Sequence, residues 1–434
     1  MAPDEAGPAP EGSGSGPQAP RLRGPAAPPP GAVDPQAAGT GTTEAVTAGL
    51  VTALVGFTSA FAVVLAGLRA VGASPAQAAS GLLAVTVAMG LATMLLSWRT
   101  RLPITVAWST PGAALLATTG AVSGGWPAAV GAFAVCGMLL AAVGLSRRLA
   151  FWAQLIPAPI ANAMLAGVLL GLCLAPVRAL VAAPAVVGPV VLVWIVLLRV
   201  ARRWAVPASM ALAVGLAFTE PGVRALGARE LAPQLSLTAP SLTAAAVVSL
   251  AVPLFVVTMA SQNIPGIAVL AGFGYRAPVR STMLVTGAGT VLAAPFGGHA
   301  INLAAISAAL AAGPEAGADP ARRWRAAMTA GCGYVVLGAG SSAVAAVALA
   351  APEGLVEAAA GLALVATLAA ALGGAFSAAA PSAPGLREAA AVTFLVTVSG
   401  VQPGGVSSAF WGLAAGLAVL GVLRASGPRR GAPD

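Results

Sequence analysis

The side chains that could do chemistry are few, and they fall in three short clusters inside otherwise apolar sequence. The first is Pro103-Ile104-Thr105-Val106-Ala107-Trp108-Ser109-Thr110-Pro111-Gly112. Its β-branched stretch reads as extended, and Ser109 or Thr110 ahead of Pro111 reads as a helix N-cap with proline at the first helical position. A helix beginning there presents free backbone N–H groups and the positive end of its dipole, a combination that binds anions. The second cluster is Thr258-Met259-Ala260-Ser261-Gln262-Asn263-Ile264-Pro265-Gly266. Ser261 and the amides of Gln262 and Asn263 either line a ligand site or satisfy backbone groups that Pro265 leaves without a partner. The third is Pro295-Phe296-Gly297-Gly298-His299-Ala300-Ile301-Asn302, in which Asn302 is a candidate cap for a second such helix. His299 is the only histidine in the chain. Imidazole titrates near neutral pH, so His299 either carries a proton or sits neutral, hydrogen-bonded to the facing segment. Phe57 and Trp108 are candidate aromatic walls for a ring-bearing ligand, and each alone also fits packing.

The elements that must position these clusters are apolar helices. The chain is 58% hydrophobic and 8% charged, far from the globular norm of roughly a quarter charged. Runs long enough to cross a hydrocarbon layer of roughly 30 Å recur with almost no charge inside them. Fourteen spans can be read, seven between Val46 and Phe218 and seven between Leu242 and Leu423, and because several are short, hydropathy alone allows twelve to fourteen. The expected organisation is a disordered cytoplasmic tail over residues 1–43, a first repeat over 44–232, a second over 233–424, and a short cytoplasmic tail over 425–434. Residues 1–43 are dominated by Pro, Gly, Ala and Ser, which bury too little surface to offset ordering.

All basic residues are arginine. Positive charge collects on cytoplasmic loops. With the N-terminus inside, 18 of the 22 basic residues fall on cytoplasmic segments, leaving Arg69, Arg178, Arg224 and Arg229 outside. That alternation supports an even number of spans, with both termini cytoplasmic in the cell's inner membrane. Two sets of seven have opposite topology, which predicts an inverted repeat with its axis in the membrane plane. Val64-Leu65-Ala66-Gly67 recurs as Val269-Leu270-Ala271-Gly272, an apparent echo between the halves.

Several function classes fit poorly. The net charge of +9 is spread over short loops between spans, so no nucleic-acid partner is indicated. Cys136, Cys173 and Cys332 show no paired spacing, and with one histidine neither a metal site nor a cofactor is expected. There is no nucleophile–base pair or phosphate loop that would suggest an enzyme. Glu44, Glu357 and Glu388 sit near span ends and read as interfacial, with Glu357 or Glu388 as the acidic candidates for a proton path.

Ala107 to Leu116, Met259 to Leu270 and Gly297 to Ala304 closely resemble the benzoate:proton symporter family. Val392-Thr393-Phe394-Leu395-Val396-Thr397 and Ser408-Ala409-Phe410-Trp411-Gly412-Leu413 extend the likeness, which covers about residues 44 to 424. Ala271, where a basic residue is expected, and the N-terminal tail depart from the family's pattern. The resemblance implies an all-α membrane protein of about 14 spans as a 7+7 inverted repeat, similar to the uracil and sulfate permeases. Short extended pieces would precede half-helices in spans 3 and 10, and one domain would move past another as an elevator. It implies import of benzoate or a related aromatic carboxylate with protons, the ligand lying between spans 3 and 10 beside spans 1 and 8. The site set is then Phe57, Trp108, Ser109, Thr110, Gly112, Ser261, Gln262, Asn263, His299 and Asn302, with His299 coupling the proton. A passive channel or uniporter for small organic anions is the alternative, as is a proton-coupled permease for another small anion or nucleobase. A homodimer stays open.

Overall fold

The computed structural model describes residues 35–146, 157–352, 354–376, 385–403 and 406–425. Residues 1–34 and 426–434, where most of the two expected tails fall, lie outside the described residues. The first helix begins at Pro35, ahead of the boundary at residue 44 that composition suggests. Proline at a first helical position costs nothing, because its missing N–H would be unpaired there anyway.

Among the described residues the chain folds as fourteen segments in two sets of seven. Span 1 is Pro35–Thr58 and, after a break at Ser59 and Ala60, Phe61–Ala70. Span 2 is Pro75–Thr100, opened by a reciprocal Ser74–Gln77 capping box. Span 3 pairs a short strand, β1 (Val106–Trp108), with a half-helix, Thr110–Thr119. Span 4 is Gly125–Leu145, span 5 Ala158–Cys173 continued by Ala175–Ala182, span 6 Pro184–Val200 and span 7 Ala205–Ala217. In the second set, span 8 is Ala244–Gly272 and span 9 is Val279–Ala293. Span 10 again joins a strand, β2 (Ile301–Leu303), to a half-helix, Ile306–Ala312. Spans 11 to 14 are Trp324–Ala350, Leu355–Phe376, Leu386–Val398 and Ser408–Ala425. Among the described residues seven of the helical runs are long and apolar enough to cross alone, and the other segments are shorter helices or are built in pieces. Large side chains such as Leu292, Val336 and Leu395 face outward, where lipid tails solvate them at no cost.

The inverted repeat is visible in the packing. Span 2 packs along span 11, and the equivalent pair, spans 9 and 4, packs the same way. Each pair touches backbone to backbone through facing glycines. A Cβ at Gly90 would lie 2.8 Å from the Gly331 carbonyl oxygen, and one at Gly287 would lie 2.7 Å from that of Gly137. Small residues at such crossings let helices exchange close dispersion contacts, the main attraction left in an apolar solvent. Spans 1–4 and 8–11 form one packed group, and spans 5–7 and 12–14 form another. In the second group Gly412 and Gly416 make room for Thr397 and Thr393, so these two threonines of the thirteenth-span motif form a packing seam with span 14.

The tetrapeptide echo is not the structural equivalence. Gly67 lies against the Ala113 carbonyl of the first half-helix, whereas Gly272 has nothing within 4 Å. Gly266 fills the matching role, set against Leu303 and the Ala304 carbonyl of span 10.

Candidate functional site

Two strands inside a membrane must find partners for every N–H and C=O, because no water is present to take them. Strands β1 and β2 pair antiparallel, with Val106 opposite Leu303, Ala107 opposite Asn302 and Trp108 opposite Ile301. The ladder continues as Ser109 N–H donates to the Ala300 carbonyl and Ala304 N–H to that of Thr105. The outer edges are closed by threonines at equivalent places in the two repeats. Val106 N–H donates to Thr93 Oγ1 of span 2 at 2.9 Å, and Ile301 N–H donates to Thr290 Oγ1 of span 9 at 3.1 Å.

Ser109, not Thr110, caps the half-helix of span 3. Its Oγ accepts from Gly112 N–H at 3.1 Å and pairs with Thr258 Oγ1 of span 8 at 2.8 Å. Among the described residues no acceptor is found for the Thr110 N–H, and Thr110 itself is only half-buried. Pro111 has no N–H, so Thr110 supplies the open donor at the positive end of this ten-residue helix.

Asn302 does not cap the second half-helix. It sits in β2, its Nδ2 donates to the Leu303 carbonyl, and the helix starts beyond it at Ile306 with no side-chain cap. Proline and asparagine chemistry in span 10 thus serves a strand, and the expected pair of facing, capped N-termini reduces to one capped N-terminus in span 3. Asn263 is also occupied, its Oδ1 accepting from Leu303 N–H at 2.9 Å across to span 8. It satisfies the backbone of span 10, not the groups that Pro265 frees in its own span.

Span 8 carries this polar cluster on a π-turn, Met259–Asn263, and a second π-turn, Val247–Ala251, lies nearer its start. Each widened turn shifts the helix's register, and such bulges mark functional positions in many helices. Ser261 and Gln262 remain half-buried, and among the described residues no hydrogen bond holds the Gln262 amide. Phe57, just before the break in span 1, packs against Trp108 with ring centroids 5.6 Å apart and stacks on Phe61 at the same distance. Both Phe57 and Trp108 are buried.

His299 is fully buried and crosses from span 10 to span 3. Its Nε2 lies 3.2 Å from the Ser109 carbonyl oxygen. A carbonyl only accepts, so Nε2 carries the proton and Nδ1 is the bare lone pair. Among the described residues Nδ1 has no partner, nor have Thr105 Oγ1 and Asn302 Oδ1, two further buried atoms on the same pair of spans. Buried polar atoms are normally paired, so three unpaired ones mark a place built for something besides packing. Sequence reasoning passed over Thr93 and Thr290, since threonines within apolar helices commonly bond their own backbone, and gave Thr105 and Thr258 no role within the clusters that contain them. Glu357 and Glu388 are exposed in the first turns of their helices, as interfacial residues are, and Glu44 is exposed in the helix Pro35–Thr58.

The family model for benzoate membrane transport proteins matches residues 40–422. The chain belongs to that family. Its relatives include the inner membrane protein YdcO of Escherichia coli (strain K12), 37% identical over 369 residues that cover 85% of this chain and 93% of that protein. The benzoate membrane transport protein of Acinetobacter baylyi is 27% identical over 384 residues, covering 87% and 95%. Among solved structures, the transmembrane domain of the cyanobacterial bicarbonate transporter BicA matches with a TM-score of 0.54 at 14% identity, covering 87% of this chain and 97% of that one. SLC26A9 matches with a TM-score of 0.56 at 13% identity, covering 87% and 65%. At such identities the likeness is one of fold, and it is the expected fourteen-span inverted repeat. The protein is a multi-pass membrane transporter and not an enzyme.

Proposed function

We propose that the chain carries benzoate, or a closely related aromatic carboxylate, together with protons across the cell's inner membrane, with both termini in the cytoplasm. The observation that carries this reading is the half-helix N-terminus of span 3, opening within the membrane beside the Phe57–Trp108 pair. The carboxylate is held at the Thr110 N–H and the positive helix end, with the Gln262 amide as a neighbouring donor, while the Ser261 hydroxyl donates to the Val257 carbonyl of its own helix. The ring lies toward Phe57 and Trp108, where apolar burial offsets the loss of hydration.

Gly112 is not a ligand in this reading. A Cβ there would lie 2.5 Å from Leu254 and 2.7 Å from Ser109 Oγ, so the glycine keeps the capped turn compact. Ser109 is likewise a positioning residue, its hydroxyl already committed to the cap and to Thr258.

An isolated carboxylate in a low-dielectric interior costs several kcal/mol even after relaxation, so the charge must travel compensated. His299 supplies the compensation. A proton taken at Nδ1 makes the imidazolium a donor on both nitrogens, while its Nε2–H stays on the Ser109 carbonyl. Anion and proton then move as a neutral load. The resemblance of the three site motifs to benzoate:proton symporters supports the substrate and the coupling, and the name of the Acinetobacter relative supports the substrate.

The test is His299→Gln and His299→Ala in proteoliposomes. Both variants are expected to exchange benzoate across the membrane while gradient-driven accumulation falls to the passive level. Accumulation equal to that of the parent protein removes His299 from the proton path.

A further inference from the structure

We infer that Gln402 and Ser407, on the connection between spans 13 and 14, form a two-bond latch that holds the transport site closed toward the outside. Two side-chain hydrogen bonds cross between the two packed groups of spans among the described residues. Gln402 Nε2 donates to the Thr119 carbonyl at 2.8 Å, and Ser407 Oγ donates to the Ser249 carbonyl at 2.6 Å, the second fully buried. Thr119 ends span 3, Ser249 lies near the start of span 8, and the donors join span 13 to span 14. In an alternating topology all three places fall at one end of the molecule, the end that the arginine distribution puts outside.

Both acceptors are carbonyls at places where regular α-helical bonding breaks down. Thr119 is the last residue of its half-helix, where Gly120 turns away at φ 69°. Ser249 lies in the first π-turn of span 8, and Pro253, four residues on, has no N–H to give it an α-type bond. These carbonyls need a partner wherever the groups stand. When the groups are engaged, Gln402 and Ser407 provide it, and when they part, water does. The bonds therefore reward closure only and carry no cost of a permanently orphaned acceptor.

The other half-helix is treated differently. The end of Ile306–Ala312 is held within its own group by the buried guanidinium of Arg323, which donates to the carbonyls of Ala312 at 2.9 Å and Gly317 at 2.8 Å. A cation suits a helix C-terminus, and this clamp moves with its helix. One half-helix end is thus fixed inside its group, and the other is fastened across the moving boundary. The first half-helix carries the site, so release of the latch and outward opening of the site are one event.

This inference rests on the chain being a carrier whose site alternates between faces, and not on its substrate. In a background with Cys136, Cys173 and Cys332 replaced by alanine, a reporter Ala260→Cys beside the site is labelled with a membrane-impermeant maleimide in intact cells and in inverted vesicles. Gln402→Met keeps the side chain's size without its donor, and Ser407→Ala removes the other. Each is expected to speed labelling from outside about fivefold, and the pair about twentyfold, the population shift that loss of one or two net hydrogen bonds produces. Unchanged rates, or a rise seen only in inverted vesicles, overturn the latch. A Ser249→Cys and Ser407→Cys pair is expected to cross-link under oxidation and stop substrate exchange until reduced. No cross-link, or undiminished exchange in the cross-linked protein, also contradicts it. Labelling needs no substrate, so a failure of benzoate as substrate leaves these outcomes readable.

Discussion

Ser109 alone bonds to five residues. Its N–H completes the β ladder, its carbonyl takes Ala113 N–H and His299 Nε2–H, and its hydroxyl caps the half-helix while meeting Thr258. Loss of an N-cap costs about 1 kcal/mol, and an unpaired buried hydroxyl left on Thr258 costs about as much again. Ser109→Ala and Thr258→Ala are therefore expected to lower thermal stability in detergent non-additively, with a coupling of about 1 kcal/mol in a double-mutant cycle. Strict additivity would mean that the two hydroxyls do not meet. Ser109 was legible in the sequence because capping is local, a polar residue followed by proline within one turn. Thr258 was not, since its partner lies 149 positions away. Asn302 was misread for the same reason: its local pattern resembles a cap, and only the pairing with β1 shows it to be strand.

The half-helices exist because the strands ahead of them are fully satisfied. Thr93 and Thr290 are the braces, each fixing the outer edge of its repeat's strand. Thr290→Val keeps the shape and strands the Ile301 N–H, a loss of about 1–3 kcal/mol. Thr93→Val does the same at Val106. Similar drops in unfolding temperature from both variants are expected, together with weaker benzoate binding. A shift confined to one of them would contradict symmetric bracing. At this scale the sequence was informative about length and apolarity, and all fourteen segments fall where those properties indicate. The extended piece before Pro111 was also readable. The break at Ser59 and Ala60 and the two π-turns of span 8 were not, because neither proline nor glycine interrupts span 1 there, and a π-turn leaves hydropathy unchanged.

The whole molecule is two inverted repeats whose segments regroup into two bodies. The inversion was legible from an odd number of spans per half and from arginines alternating by loop. The regrouping was not, because which span packs on which depends on glycine pairs such as Gly90 with Gly331, distant in sequence and ordinary in composition. A half-helix of span 3 that packs against the other body, with an imidazole bonded to its capping residue, is what makes transport of a compensated anion the natural reading. The most direct test is uptake of radiolabelled benzoate into proteoliposomes of the purified protein, with and without an inward proton gradient, against unlabelled uracil and sulfate as competitors. Accumulation above equilibrium that depends on the gradient and yields only to aromatic acids is the expected result. Uptake that merely equilibrates, or that uracil or sulfate suppresses equally, would contradict the account.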